Sequence, residues 1–151
     1  MLVYRIGKTK HAHDLSGEGA RLNGGRWNHP GTPCLYTAET RALSLLEYTA
    51  HVSIDDIPRA LSFTCLEVPD DAIETIALGK LPGNWTAWPH PKETRDFGEN
   101  LLLSAGSLIL KLPSAIVPDE FNYVINPLHS RIKEVRVILA KDYAYDIRLK
   151  S

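Results

Sequence analysis

An excess of either charge is what this 151-residue chain lacks: 17 lysines and arginines stand against 18 aspartates and glutamates, a formal net charge of −1. Such a balance exerts no general pull toward nucleic acid or a membrane surface, so neither is expected as a direct partner. An anionic small molecule held by a few local arginines stays open. Cysteine is scarce as well: Cys34 and Cys65 each sit inside an apolar run. Buried free thiols fit that setting better than a disulfide. No apolar run reaches the length of a membrane span, and Met1-Leu2-Val3-Tyr4-Arg5 has no signal-peptide architecture, which points to the cytoplasm. Repeats, low-complexity tails and linkers are missing too. Residues 1–151 are therefore expected to form one domain, with the 44% hydrophobic and 23% charged residues of an ordinary globular protein.

What the chain does have is an unusual decapeptide, Gly19-Ala20-Arg21-Leu22-Asn23-Gly24-Gly25-Arg26-Trp27-Asn28. Paired glycines let a backbone adopt positive φ or approach a ligand closely. Arginine beside them offers a planar fork of donors suited to carboxylate or phosphate. Tryptophan adds a flat face or a loop anchor, and the anchor is the preferred reading for Trp27. The run suits a loop that grips something anionic and partly aromatic, such as a nucleotide.

Hydropathy patterning places the remaining elements. Leu2 to Ile6 reads as a first strand, and Lys8 to Asn28 as a long functional loop. Cys34 to Ala38 is a strand after the turn Pro30-Gly31-Thr32-Pro33. Thr40 caps a helix running to about Val52, with Leu43, Leu46 and Ala50 as its apolar stripe and Glu47 half sheltered beside it. Arg59 to Val68 reads as a strand, and Asp70 to Leu78 as a short helix or turn. Gly79 to Pro91 reads as an ordered surface loop with Trp85 and Trp88, and Thr94 to Ala105 as a second helix. Strands follow at Ser107 to Leu112, Asn122 to Asn126, Glu134 to Ala140 and Ala144 to Leu149. Strands outnumber helices and are scattered among them, so the expected class is α+β rather than a doubly wound parallel sheet.

The decapeptide, followed by Leu35-Tyr36-Thr37-Ala38, Ala42-Leu43-Ser44-Leu45-Leu46-Glu47, Leu112-Pro113-Ser114-Ala115 and Asn122-Tyr123-Val124-Ile125-Asn126-Pro127, resembles the RES-domain family in order and approximate spacing. These are toxins of a bacterial toxin–antitoxin class, named for an arginine, a glutamate and a serine. The resemblance covers nearly the whole chain. It implies a fold similar to the ADP-ribosyltransferase toxins, a split, strand-rich α+β domain around an NAD⁺ cleft. It implies consumption of NAD⁺ by cleavage, phosphorolysis or ADP-ribosylation of a protein, and an Xre-type helix-turn-helix antitoxin as partner.

Those implications assign roles to residue types. Arg5 and Arg26 are candidates for the pyrophosphate or the nicotinamide ribose. Main-chain amides at Gly24 and Gly25 would approach the same group. Tyr36 would stack on nicotinamide. Cleaving the glycosidic bond builds oxocarbenium character on the ribose, which a fixed carboxylate stabilises, and Glu47 is the candidate. Ser114 would bond the ribose or the carboxamide, with Ser44 as its rival for a polar role. Arg21, Asn28 and Asn122 complete the binding set. Cationic nicotinamide leaves without a metal, and none is expected; His11 and His13 lack a third and fourth ligand.

Plainer readings stand beside each role. Arg26 would clamp loop carbonyls, Arg21 would brace its loop, Tyr36 would be core, Ser114 a turn residue, and Asn122 and Asn126 ties for loop backbone. At the level of function, the alternative to an enzyme is a module that binds a nucleotide or a partner without turnover.

Overall fold

The computed structural model describes residues 1–104 and 106–150. Its strands are β1 (Leu2–Lys8), β2 (Leu35–Ala38), β3 (Leu61–Glu67), β4 (Ile73–Thr75), β5 (Ile109–Pro113), β6 (Phe121–Ile125) and β7 (Arg136–Tyr143). The α-helices are α1 (Glu18–Asn23), α2 (Arg41–His51) and α3 (Lys92–Ser104). All seven strands join one sheet in the order β4-β5-β6-β2-β1-β3-β7, antiparallel except for β4 on β5.

The sheet is nearly two. β1 pairs with β3 along its whole length, from Leu2 opposite Glu67 to Lys8 opposite Leu61. Toward β2 it makes one pairing, Tyr4 with Ala38. One half is thus β4-β5-β6-β2 and the other β1-β3-β7, and a cleft opens between them beyond Tyr4. The expected split, strand-rich α+β class is what the chain adopts.

Alternation along β5 and β6 explains the core, since successive side chains in a strand point to opposite faces. Ile109, Tyr123 and Ile125 pack on one face with Val3, Leu35, Leu66 and Leu108. Leu110, Leu112 and Val124 pack on the other with Trp27, Leu102 and Trp85. Burial on both faces accounts for the mostly apolar sequence of these strands, broken by Lys111 in β5 and Asn122 in β6.

Three local outcomes differ from the expected elements. The loop foreseen over Lys8 to Asn28 contains α1, bounded by Gly17 (φ 74°) and Gly24 (φ 69°), both in left-handed φ that disfavours side chains. Residues 73–75 form β4 because they pair in parallel with Ile109 to Lys111, a partnership invisible locally. The last expected strand is a 3₁₀ turn, Ile147–Lys150, preceded by Asp146, whose carboxylate accepts the Arg148 amide and guanidinium. The expected end of the second helix at Ala105 lies outside the described residues.

Cys34 and Cys65 are both free and buried, as expected, and burial pushes the Cys34 thiol up to about 12. Among the described residues no helix is long and apolar enough to cross a membrane.

Candidate active site

α2 begins at Thr40, whose hydroxyl accepts the Leu43 amide at 3.0 Å, and packs on β1 and β2 beside the cleft. Its buried face differs from the expected stripe. Leu43 and Ser44 are buried, whereas Leu46 and Ala50 face solvent. The helix turns Ser44, Glu47, Tyr48 and His51 toward a cavity of about 360 Å³. Positions spaced three and four apart share a helix face, so this is one polar edge directed into the cleft.

Glu47 is half-buried, and its Oε1 accepts two hydrogen bonds, from Ser114 Oγ at 2.6 Å and Asn122 Nδ2 at 2.8 Å. Among the described residues Oε2 takes none. Ser114 sits at the end of β5, fully buried, and its Oγ also accepts the amides of Ile116 and Val117 at 3.1 Å each. A hydroxyl has one proton and two lone pairs. The amides occupy the lone pairs, so the proton points at Glu47. Ser44 Oγ instead donates to the Arg41 carbonyl at 2.8 Å. Of the two rival serines, Ser114 is the one bonded to Glu47. Asn122 holds the carboxylate rather than loop backbone, whereas Asn126 does tie backbone, donating to the Leu102 carbonyl at 2.8 Å.

The decapeptide wraps the opposite wall. Arg26 Nη1 donates to the carbonyls of Trp85 (2.6 Å) and Ala87 (2.9 Å), so the guanidinium anchors the 82–90 segment while lining the cavity. Burial pulls its pKa below the usual value, and Glu47, then Tyr36, oppose that shift. Tyr36 lines the cavity, with its ring packed against Gly25. Its hydroxyl donates to Asn28 Oδ1 at 2.6 Å and accepts the Trp27 amide at 3.0 Å. Burial drives this phenol well above its ordinary pKa. Asn28 is fully buried away from the cavity, and its Nδ2 donates to the carbonyls of Ala20, His29 and Thr32.

The glycines act through shape. The Gly24 amide donates to the Ala20 carbonyl and the Gly25 amide to that of Asn28, so both amides close turns. A Cβ on Gly25 would lie 2.7 Å from the Tyr36 hydroxyl. Arg21 is not among the cavity residues; it forms an exposed ion pair with Glu18 at 2.5 Å. Trp27 is an anchor, stacked on Trp85 with ring centres 6.2 Å apart.

Arg5 lies where β1 leaves β2. Its Nη2 donates to the carbonyls of His11, Ala12 and Asp14, holding the following loop. Burial lowers its pKa and Asp14 opposes that. A second cavity of about 390 Å³ continues past it, sharing Arg5, Ile6, Gly19, Ala20 and Tyr36 with the first.

Sequence reasoning missed His90 on the rim; of His51 and His129, the histidines it considered near the cleft, His51 is the one that lines the cavity. His51 and His90 line the cavity, with ring centres 5.5 Å apart and Trp88 against both. His51 Nδ1 donates to the Glu47 carbonyl at 2.6 Å, which leaves the neutral ring's lone pair on Nε2. Nothing in the local sequence of residues 79–91 announces this position; Arg26 brings the segment in from 59 residues away.

The family model for the RES domain matches residues 2–148. A protein of Sphingobium sp. (strain YBL2) named Prs ADP-ribosylating toxin is 37% identical over 145 residues, covering 94% of this chain and 90% of its own. Toxin Res of Photorhabdus laumondii subsp. laumondii is 33% identical over 152 residues, covering 99% of this chain and 97% of its own. The crystal structure of the M. tuberculosis MbcT-MbcA toxin-antitoxin complex contains a similar fold, with a TM-score of 0.77 at 20% identity over 95% of this chain and 84% of that one. Matched from end to end by the family model and by relatives named as toxins, this chain belongs to the RES-domain family.

Proposed function

We propose that this chain is the toxin of a toxin–antitoxin pair and that it consumes NAD⁺ by breaking the nicotinamide–ribose bond. The observation that carries the reading is Glu47, a carboxylate pinned through Oε1 by Ser114 and Asn122 on the wall of a cavity, with Oε2 unengaged among the described residues. When the C–N bond breaks, its electron pair goes to nicotinamide and positive charge grows on the ribose. A carboxylate already fixed in place stabilises that charge without reorganising. Oε2 is the oxygen left to hold a ribose hydroxyl.

The remaining walls suit the same ligand. Tyr36 offers a ring face to nicotinamide. Arg26 keeps Nε and Nη2 for a phosphate or ribose oxygen, and Arg5 stands between the two cavities where a pyrophosphate would bridge two nucleoside halves. Gly24 and Gly25 shape this wall, and Asn28 and Ser114 act through Tyr36 and Glu47. Residues 1–151 act as one RES domain. The partner is an antitoxin of the Xre-type helix-turn-helix class, in keeping with the toxin–antitoxin complex formed by the similar fold. NAD⁺ pools place the action in the cytoplasm.

Water or phosphate as acceptor gives NAD⁺ loss alone. A protein acceptor is the second reading, favoured by the name of the Sphingobium relative. Both share the bond-breaking step. Incubating the purified chain with biotinylated NAD⁺ and cell lysate separates them, since transfer labels a protein band and hydrolysis or phosphorolysis labels none.

A further inference from the structure

The wall of the main cavity carries a histidine that the Glu47 chemistry leaves unused. His51 ends α2, four residues after Glu47, and both side chains line the cavity. Positions four apart share a helix face, so the imidazole stands about 6 Å further along the axis than the carboxylate. Its Nδ1 lies 2.6 Å from the Glu47 carbonyl oxygen. A carbonyl only accepts, so the proton is on Nδ1 and the neutral ring presents a lone pair at Nε2. Among the described residues Nε2 takes no hydrogen bond. Trp88 meets the ring nearly at right angles, 5.3 Å between centres and 70° between planes, and holds it from a second side.

Its neighbours on the wall serve less well as bases. Glu47 Oε1 accepts from Ser114 and Asn122, and Oε2 is the oxygen assigned to the ribose. The Tyr36 hydroxyl donates to Asn28, and that of Ser44 to the Arg41 carbonyl. Tyr48 keeps its proton, since burial, then Tyr145, pushes its phenol up. His90 is held at about 4 by burial, then by the positive charges of Arg26, His51 and Arg95, so it takes a proton reluctantly. His51 is exposed, so water reaches it and a proton taken up can leave to solvent. Imidazole is also the side chain most often used as a general base.

We propose that His51 is the general base that deprotonates the acceptor, and that this acceptor is a neutral hydroxyl, water, rather than an anion. The inference rests on the NAD⁺ reading and deepens it by naming the class of acceptor. The water oxygen bonds to C1′ of the nicotinamide ribose as the C–N bond breaks. The electron pair of that bond leaves with nicotinamide. The water proton passes to Nε2 and then to solvent, and the product is ADP-ribose.

Water and azide are compared as acceptors, with nicotinamide release followed and ADP-ribose separated from the azide adduct. Azide is already an anion and needs no base. In His51→Gln the amide can still donate to the Glu47 carbonyl but offers no basic nitrogen. Hydrolysis by this variant is expected to fall about 10²-fold, the lower end of what a positioned base contributes. Azide-dependent release is expected to stay near that of the unmodified chain. His51→Ala should behave alike, with added imidazole restoring part of the hydrolysis. Equal loss of both reactions makes His51 a structural residue and overturns the proposal. Unchanged hydrolysis in folded His51→Gln overturns it too, as does an unmodified chain that releases nicotinamide only when an anionic acceptor is supplied. Those three outcomes leave the NAD⁺ reading standing. Absence of release by the unmodified chain with either acceptor removes that reading and the proposal together.

Discussion

Ser114 donates its one hydroxyl proton to Glu47 Oε1 at 2.6 Å while two backbone amides occupy its lone pairs. This serine is thereby committed to the carboxylate, and in the proposed reaction it acts through that carboxylate. Ser114→Ala is expected to lower kcat for nicotinamide release about tenfold with little change in KM, since the carboxylate stays present but less well held. A loss confined to KM would instead make Ser114 a direct substrate contact. Steady-state kinetics on the folded variant decide.

Arg26 has a double duty, and its variants should show it. Arg26→Ala removes the bonds to the Trp85 and Ala87 carbonyls as well as the charge at the cavity. A stability loss of about 1.5–3 kcal/mol is expected from hydrogen bonds to a charged group, along with loss of turnover. Arg26→Lys keeps the charge but not the planar fork, so it should recover more stability than activity. Parallel denaturant melts and activity assays measure both.

Tyr36→Phe separates ring from hydroxyl. The ring stays in place, while Asn28 Oδ1 and the Trp27 amide lose their partner. Leaving buried polar groups unpaired costs about 1–3 kcal/mol. The variant should therefore be clearly less stable yet retain most of its turnover when folded. The opposite pattern, full stability with lost turnover, would assign the hydroxyl to the chemistry.

Gly98 tests the packing of α3. A Cβ there would collide with the Trp27 backbone carbonyl. Helix propensity favours alanine over glycine by roughly 0.5–1 kcal/mol. Overpacking opposes it by about 1–3 kcal/mol and is expected to win, so Gly98→Ala lowers the melting temperature. A rise would mean that α3 withdraws from Trp27 freely.

His90 gives a pH dependence. Burial holds its folded pKa at about 4, below the ordinary 6.5 of a histidine, so between those values the unfolded chain binds the extra proton. The contribution to stability is intact above pH 6.5, falls as pH drops and is fully lost below about 4. His90→Gln should flatten the fall in melting temperature over that window. Identical pH profiles for both proteins would remove His90 as the cause.

Legibility in the sequence followed the range of the interactions. Thr40 as a cap and Glu47 as a half-sheltered helical carboxylate follow from neighbours within a turn or two, and both hold in the structure. The apolar stripe through Leu46 and Ala50 does not, because α2 directs Ser44, Glu47 and His51 into a cleft and leaves those two in solvent. Periodicity reports which face is apolar, and a helix lining a site departs from that rule. Asn122 lies 75 residues from Glu47, and the segment carrying His90 is held at the rim by the distant Arg26 and Trp27. β4 exists through its partner β5. The glycine pair was legible as a backbone requirement, but its amides close turns instead of facing the cavity.

The most direct measurement is nicotinamide release from NAD⁺ by the purified chain beside Glu47→Gln, with circular dichroism confirming that both are folded. The account predicts release by the unmodified chain and a loss of roughly 10²–10³-fold in the variant, the scale of removing one preorganised electrostatic group. Equal release by folded Glu47→Gln, or saturable NAD⁺ binding with no release by the unmodified chain at all, would contradict it.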